Sequence, residues 1–255
     1  MDGGGTMTYV AIMAFVVVAT MVFQARGVIA VILSNPKMQV GDYDGALRIA
    51  RWVSLGFPNP LLLHREGLTL SSAGRLSEAE QRYRKALAMA AGSKYRVERL
   101  HACLGNVLID RGRYDEAEQS FQRAIKAGDV TGSSQAGLAE LRLAQGVEAE
   151  KALEYAGQAI EHAKRRPGKP VAAPFWSDQA WALALLGRGD DAREALAQAM
   201  RVPEASVFGR AEMHWRAGMV LAAMQQPEEA WKHFEMGHKA DPRGKYGRRC
   251  GEHLA

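Results

Sequence analysis

Two cysteines in 255 residues, Cys103 and Cys250, are too few for a disulfide-built scaffold and fit a reducing compartment. Cys103 falls inside an apolar helical pattern and reads as a small core residue, whereas Cys250 sits in a Gly/Arg-rich stretch. The chain has no glycine-rich phosphate loop, no HExxH helix and no nucleophile elbow. Its histidines do not converge either: His233 and His238 are five apart, off a common helix face, and Cys250 and His253 lack a second pair to complete a metal site. The acidic pairs Asp190-Asp191 and Glu228-Glu229 open helices, where the helix dipole favours them. No catalytic, cofactor or metal site is therefore expected, and the chain reads as a non-enzyme. An excess of charge of one sign is also small. A net +5 is compatible with an anionic surface but does not by itself argue for nucleic acid or membrane.

Strand-like alternation is missing, and a longer period replaces it. Ala46, Ala79, Ala117, Ala152, Ala192 and Ala230 each open a run of small, aromatic and basic residues, at spacings of 33, 38, 35, 40 and 38. A period of this size predicts a stack of helical hairpins in which each unit touches only its neighbours. The clearest unit is Leu100 to Gly128. Leu100, Leu104 and Leu108 recur on one helix face, and Gly105 leaves room for a second helix. Gly112 stands where a helix needs a left-handed terminating residue. Asp115 starts the next helix, with Ala117, Phe121 and Ala124 on its inner stripe and Phe121 filling the gap between hairpins.

This pattern resembles the tetratricopeptide repeat family over most of the chain after residue 40. Gly67, Gly74, Ala79, Tyr83 and Ala86 repeat the spacing of Gly105, Gly112, Ala117, Phe121 and Ala124. Gly218, Ala230, Phe234 and Asp241-Pro242 match in the last unit, where Gly237 replaces the final alanine. Two middle units are degenerate: Ala139, Gly146, Ala152 and Ala159, with one extra residue after the turn, then Trp176, Ala180, Gly187, Ala192 and Ala199. The fold expected is all-α, a right-handed superhelical solenoid of hairpins preceded by one transmembrane helix.

That helix is read from Tyr9 to Phe23, an almost wholly apolar run. From Met7 to Phe23 it just reaches the length that spans a hydrocarbon core of about 30 Å, with Arg26 placed to reach the headgroups. No basic residue precedes the run and its exit is a poor small-x-small site, so a cleaved signal peptide is disfavoured. The lack of a polar stripe disfavours a buried core helix. Arg26, Lys37, Arg48 and Arg51 follow the run, which puts the repeats on the cytoplasmic side, as at a bacterial inner membrane. Pro36 argues against a complete first hairpin, so Val28 to Leu33 is expected to extend the anchor or form a short cap. Gly56-Phe57-Pro58-Asn59-Pro60 breaks the chain before the next hairpin. The expected organisation is an anchor over 1–34, a solenoid of about five full units and one partial unit over 35–242, and a basic tail over 243–255. The tail is expected to be frayed or a weak contact, and its glycines argue against a long, stable capping helix.

Two loops stand apart. Gly128 to Ser134 reads as a flexible turn. His162 to Pro174 carries Lys164, Arg165, Arg166 and Lys169, a solvated loop or a contact for lipid headgroups or an acidic partner. The resemblance implies that the first helix of each hairpin lines a concave partner-binding groove. That places His64, Leu68, Arg99, Asn106, Asp110, Glu140, Trp181, Leu185, Trp215 and Met219 there, polar in the N-terminal half and aromatic in the C-terminal half. Trp181 and Trp215 are candidate anchors for a partner peptide, or pack on each other or on a terminal helix. Asn106 matches one position of the family's carboxylate-gripping subtype, but Ala102 stands where its lysine would be.

The function expected is a membrane-anchored scaffold that recruits or assembles a partner protein or peptide segment. One alternative is an extracytoplasmic, chaperone-like repeat protein associated with export, distinguished by the side on which Cys250 is labelled. Another is a structural subunit of a larger membrane complex. Nucleic-acid binding through Lys164–Lys169 would show steep salt dependence and is disfavoured by the absence of an aromatic platform.

Overall fold

The six alanines that set the period are all sealed between helices, none more than 2% exposed. The computed structural model describes residues 3–54, 58–91 and 95–255, with the side chains of 3–12, 19, 20 and 22–24 outside that description. Among the described residues there are thirteen helices and no strand. Six hairpins pair α1 (Gly3–Gln39) with α2 (Tyr43–Ser54), α3 (Pro60–Ser72) with α4 (Leu76–Ala90), and α5 (Val97–Asp110) with α6 (Tyr114–Lys126). They continue with α7 (Ser133–Gln145) and α8 (Ala149–Lys164), α9 (Ala173–Leu185) and α10 (Gly189–Met200), and α11 (Val207–Ala223) and α12 (Pro227–Ala240). A last helix, α13 (Lys245–Glu252), follows.

Each hairpin closes on contact between a glycine and an aromatic ring in the units that keep the pattern. Tyr83 covers Gly67, Phe121 covers both Gly105 and Gly137, and Phe234 covers Gly218. A Cβ at any of these glycines would stand only 2.2–2.6 Å from the ring. Phe121 is fully buried, a gain of about 1.5–3 kcal/mol for such a side chain. The turns obey the same register. After α5 the Arg113 N–H donates to the Leu108 carbonyl at 2.9 Å and Gly112 takes a left-handed φ of 69°, which satisfies the orphan carbonyls at the helix end. In the last hairpin Gln225, at φ 59°, takes the left-handed place that glycine fills elsewhere. In the fourth, a left-handed Glu148 beside Gly146 absorbs the extra residue.

The first hairpin differs from expectation. α1 runs unbroken through Pro36 to Gln39, so the first unit is complete rather than half missing. Ala30 is fully buried in a small core with Val53 and Leu62, and Arg65 of α3 donates to Ser34 and Asn35. These contacts hold the helix on the side away from the proline. Pro36 and Ile32 are both exposed, so the Ile32 carbonyl deprived of its partner faces water. Arg26, expected at the headgroups, is only 7% exposed. It lies beside Gly27, which packs against Leu61.

Among the described residues no helix is long and apolar enough to cross a membrane. Most of the expected anchor, Met7–Phe23, falls on residues whose side chains lie outside the description. Of the chain break before α3, residues 55–57 also lie outside it. Asn59 accepts from the Leu62 N–H at 2.9 Å and caps α3, with Pro60 in its first turn.

The first helices of successive hairpins, α3, α5, α7, α9 and α11, touch one another in sequence and form the inner layer of the superhelix. The coil returns far enough for its ends to meet. The Tyr43 hydroxyl at the start of α2 donates to the Asp241 carboxylate just after α12. The expected basic tail is part of this closure. Residues 245–252 form α13, with Tyr246 3% and Cys250 0% exposed. The helix is short, at eight residues, but seated rather than frayed, and its glycines permit that close seat: a Cβ at Gly247 would lie 1.8 Å from the Asp241 carbonyl oxygen.

The concave interior as candidate site

The interior divides into a filled half and an open half. In the filled half α13 lies against the inner layer. Lys245 Nζ and Arg249 Nη2 both donate to the Asp110 carboxylate of α5, at 2.8 and 2.9 Å. Arg248 donates to the Ala73 carbonyl beyond α3 at 2.7 Å. The Tyr246 ring meets Phe208 and Trp215, with centroids 5.2 and 5.3 Å away, and the Arg249 guanidinium lies 5.0 Å over the Trp215 ring. Trp181 and Trp215 meet edge to face at 6.0 Å, each 8% exposed. They are therefore not exposed anchors: each other's rings and α13 cover them.

Behind Trp215 lies a charge cluster whose centre the sequence reading missed. Arg216, 3% exposed, pairs with Glu140 at 2.9 Å, Glu212 at 3.1 Å and the fully buried Asp178. Burial pushes the Asp178 carboxyl up to about 8, with Arg216 pulling it down and the Glu140 and Glu212 carboxylates pushing it further up. Burial acts upward on Glu140 too, but Arg216 and Lys245 outweigh it and hold that carboxyl below its usual range. Burial thus favours the protonated form of Asp178, and the Arg216 guanidinium opposes it. The available signal was Arg216 itself, a charge inside the otherwise apolar run Trp215–Leu221, four residues after Glu212.

The open half is a cavity of about 400 Å³ lined by His64, Leu68, Arg96, Arg99, Asn106 and Thr131, among others. Arg99 and Asn106 are exposed, and their side chains make no ion pair or hydrogen bond among the described residues. His64 forms part of the wall and is only 5% exposed. Its Nδ1 lies 2.7 Å from the Tyr95 hydroxyl and its Nε2 3.6 Å from the Cys103 thiol. Burial lowers His64 to about 4, assisted by Arg99 and Arg65, so the ring is neutral at physiological pH. Burial raises Cys103 to about 11, which leaves a thiol and not a nucleophilic thiolate. Leu68 faces both halves of the interior.

The loop expected to be flexible builds one rim of this cavity. Asp129, 8% exposed, accepts from the N–H and hydroxyl of both Thr131 and Ser134 at 2.6–2.8 Å. Two other expected groove residues do not line the open cavity: Leu185 is 47% exposed outside it, and Met219 packs on the C-terminal core. On the long loop, Lys164 pairs with Glu161 at 2.9 Å and lies 5.8 Å over Trp176, while Arg165 and Lys169 are exposed and Arg166 is half-buried. Among the described residues no three His, Cys, Asp or Glu converge as metal ligands.

This geometry defines a superhelical stack of helical hairpins with a concave interior. A tetratricopeptide repeat family model matches residues 64–129 and 103–155, two overlapping stretches that span α3 to α8. The match supports the tetratricopeptide assignment for those hairpins. A tetratricopeptide repeat protein from Parabacteroides merdae superposes with a TM-score of 0.61 at 17% identity, over 90% of this chain and 83% of that one. A chain of the APC/C hetero-tetramer Cut9–Hcn1 gives 0.64 at 15% identity, over 90% of this chain and 43% of that one. A thermophilic repeat protein from Thermus thermophilus gives 0.57 at 19% identity, over 76% and 98%. At these identities the likeness is one of fold. A search of curated proteins returns no significant match.

Proposed function

We propose that this chain is a membrane-tethered scaffold that recruits a partner protein by holding a peptide segment in the open half of its interior. The observation that carries the reading is the polar cavity around Arg99 and Asn106, whose side chains have no partner among the described residues. A solenoid gains nothing in stability from such groups, whereas an extended or helical segment lying there can satisfy them and bury apolar surface on Leu68 and Ala102. Tetratricopeptide repeats act as protein-interaction modules of this kind.

Tethering is supported by α1, which leaves Met13, Phe15, Val16, Val17, Val18 and Met21 between 45% and 74% exposed. A contiguous apolar helix of this kind is a membrane or partner surface. The test of recruitment is a mild-detergent pull-down from membranes, comparing the native chain with Arg99→Glu/Asn106→Ala. Loss of specific partners with unchanged thermal stability supports the reading, and an unchanged partner set overturns it. Orientation is tested by labelling Lys169→Cys in sealed vesicles, because Cys250 is fully buried and cannot report the side. The positive charges after the apolar run favour cytoplasmic repeats. Labelling from the opposite face would instead support the extracytoplasmic, export-associated alternative.

A further inference from the structure

We propose that the filled half is a receptor site for a short helix of basic–aromatic–x–x–basic pattern, that α13 occupies it in cis through Lys245, Tyr246 and Arg249, and that a partner helix of the same chemistry enters by displacing α13. This rests on the reading of the interior as a partner site and names the chemistry of its second compartment.

The position of α13 is the first argument. A helix that only sealed the last hairpin would need contacts to α11 and α12 alone. Tyr246 and Cys250 make those, His253 stacks on Phe234 with centroids 4.2 Å apart, and His238 Nδ1 lies 2.9 Å from the Gly247 carbonyl oxygen. Three long basic side chains nonetheless extend across the superhelix to Asp110 and Ala73, more than 130 residues earlier in the chain. Ordering such side chains costs rotamer entropy that sealing one end does not require.

The chemistry of the receptor wall is the second argument. Asp110 has a side chain only 1% exposed and accepts from two cations. α13 itself covers Asp110, so a segment that took its place without a cation would bury that carboxylate with no counter-ion. A neutral or acidic segment therefore cannot take the site, whereas one bringing Lys or Arg at both positions can. The Trp215 face selects in the same way, since a guanidinium over an aromatic ring is attracted to it. Glu140 and Glu212 add acidity to the same wall. A cavity of about 250 Å³ remains beside Lys245 and Tyr246, bounded by Phe175, Phe208, Glu140 and Glu212. The slot thus has room for a larger side chain than α13 supplies.

The third argument is the connection. α13 hangs from Asp241–Gly244, and the Asp241 carboxylate takes both the Tyr43 hydroxyl and the Gly244 N–H. Release of α13 is therefore coupled to the seam that joins the two ends of the coil.

Cys250, fully buried on α13, reports the state of the helix. The experiment uses the full chain in mild detergent and reads alkylation of Cys250 by peptide mass spectrometry. In parallel, anisotropy follows a fluorescent peptide of residues 243–255 carrying Cys250→Ser. Lys245→Glu/Arg249→Glu should speed Cys250 alkylation at least tenfold while helicity is retained. The peptide should bind this variant at least tenfold more tightly than the native chain, and adding Asp110→Asn should abolish that binding. Unchanged alkylation, or equal peptide binding to variant and native chain, would make α13 a fixed cap and overturn the proposal. Should the double variant unfold, hydrogen exchange on the native chain decides: amides 245–252 must exchange at least tenfold faster than those of 97–110, and joint exchange overturns it. Peptide binding here together with an unchanged partner set for Arg99→Glu/Asn106→Ala would retain this receptor site while the open-cavity reading falls.

Discussion

The two halves of the interior are built from the same hairpin and end in opposite states. In the N-terminal half the inner helix α5 presents Arg99 and Asn106, beside Leu68 of α3, to a cavity that no described part of the chain fills. In the C-terminal half α9 and α11 present Trp181, Trp215 and Arg216, and all three are covered. The difference lies in the burden each half carries. Two tryptophans and a cluster of one arginine with three carboxylic acids need a lid. Isolated hydrophilic side chains on a concave wall are adequately hydrated without one. A repeat scaffold can thus devote one compartment to self-closure while a neighbouring one stays open.

The largest test of this contrast is Arg216→Met. It leaves Glu140, Asp178 and Glu212 without their shared cation, and should cost about 3–5 kcal/mol in urea unfolding. Loss of under 1 kcal/mol would show that the filled half is not organised around that arginine.

The second contrast is in pH. His64, in the open half, has its folded value lowered to about 4 from 6.5, so its stabilising contribution is complete above 6.5 and lost as pH falls toward 4. That amounts to about 3 kcal/mol over the window. Asp178, in the filled half, is raised from 3.8 to about 8, so its contribution is complete below 3.8 and declines as pH rises toward 8. Urea midpoints between pH 4 and 8 should therefore show His64→Gln flattening the acid limb and Asp178→Asn the alkaline one. If either variant changed the opposite limb, the two sites would not titrate independently.

A third prediction asks what the halves share. Gly105→Ala and Gly218→Ala each put a Cβ within about 2.6 Å of an aromatic ring, and each should cost about 1–3 kcal/mol by overpacking. Similar losses in thermal melts would show one hairpin design in both halves. The smallest effect belongs to Arg99→Ala, which should change stability by less than about 0.5 kcal/mol and act on partner binding alone.

Much of the hairpin architecture was legible because it is local. The small-residue period, the Gly105–Phe121 approach and the left-handed turn at Gly112 are each set within one hairpin of about thirty-five residues. The errors fell where distant segments meet. Pro36 looked like a helix breaker because its own sequence does not show that Ala30, Ser34 and Asn35 are held by α2 and α3. The tail reads as frayed in sequence because the carbonyl that Gly247 packs against belongs to Asp241, outside α13. Trp215 reads in sequence as either an exposed anchor or a residue packed on Trp181 or a terminal helix, because its covers, Tyr246 and Arg249, lie about thirty residues downstream. Asp110 was assigned to the groove, yet nothing near it in sequence shows that α13 already holds it.

The sequence alone determined the repeat, the helical class and the small-residue positions where helices approach, since each follows from side-chain size and periodicity within neighbouring turns, while the inner helix layer was implied by the family resemblance. Only the tertiary structure decided that the first coil meets the last through Tyr43 and Asp241, and which half of the groove is free. The physical reason is that a superhelix accumulates small rotations at every hairpin, and their sum determines whether residues more than 130 positions apart touch.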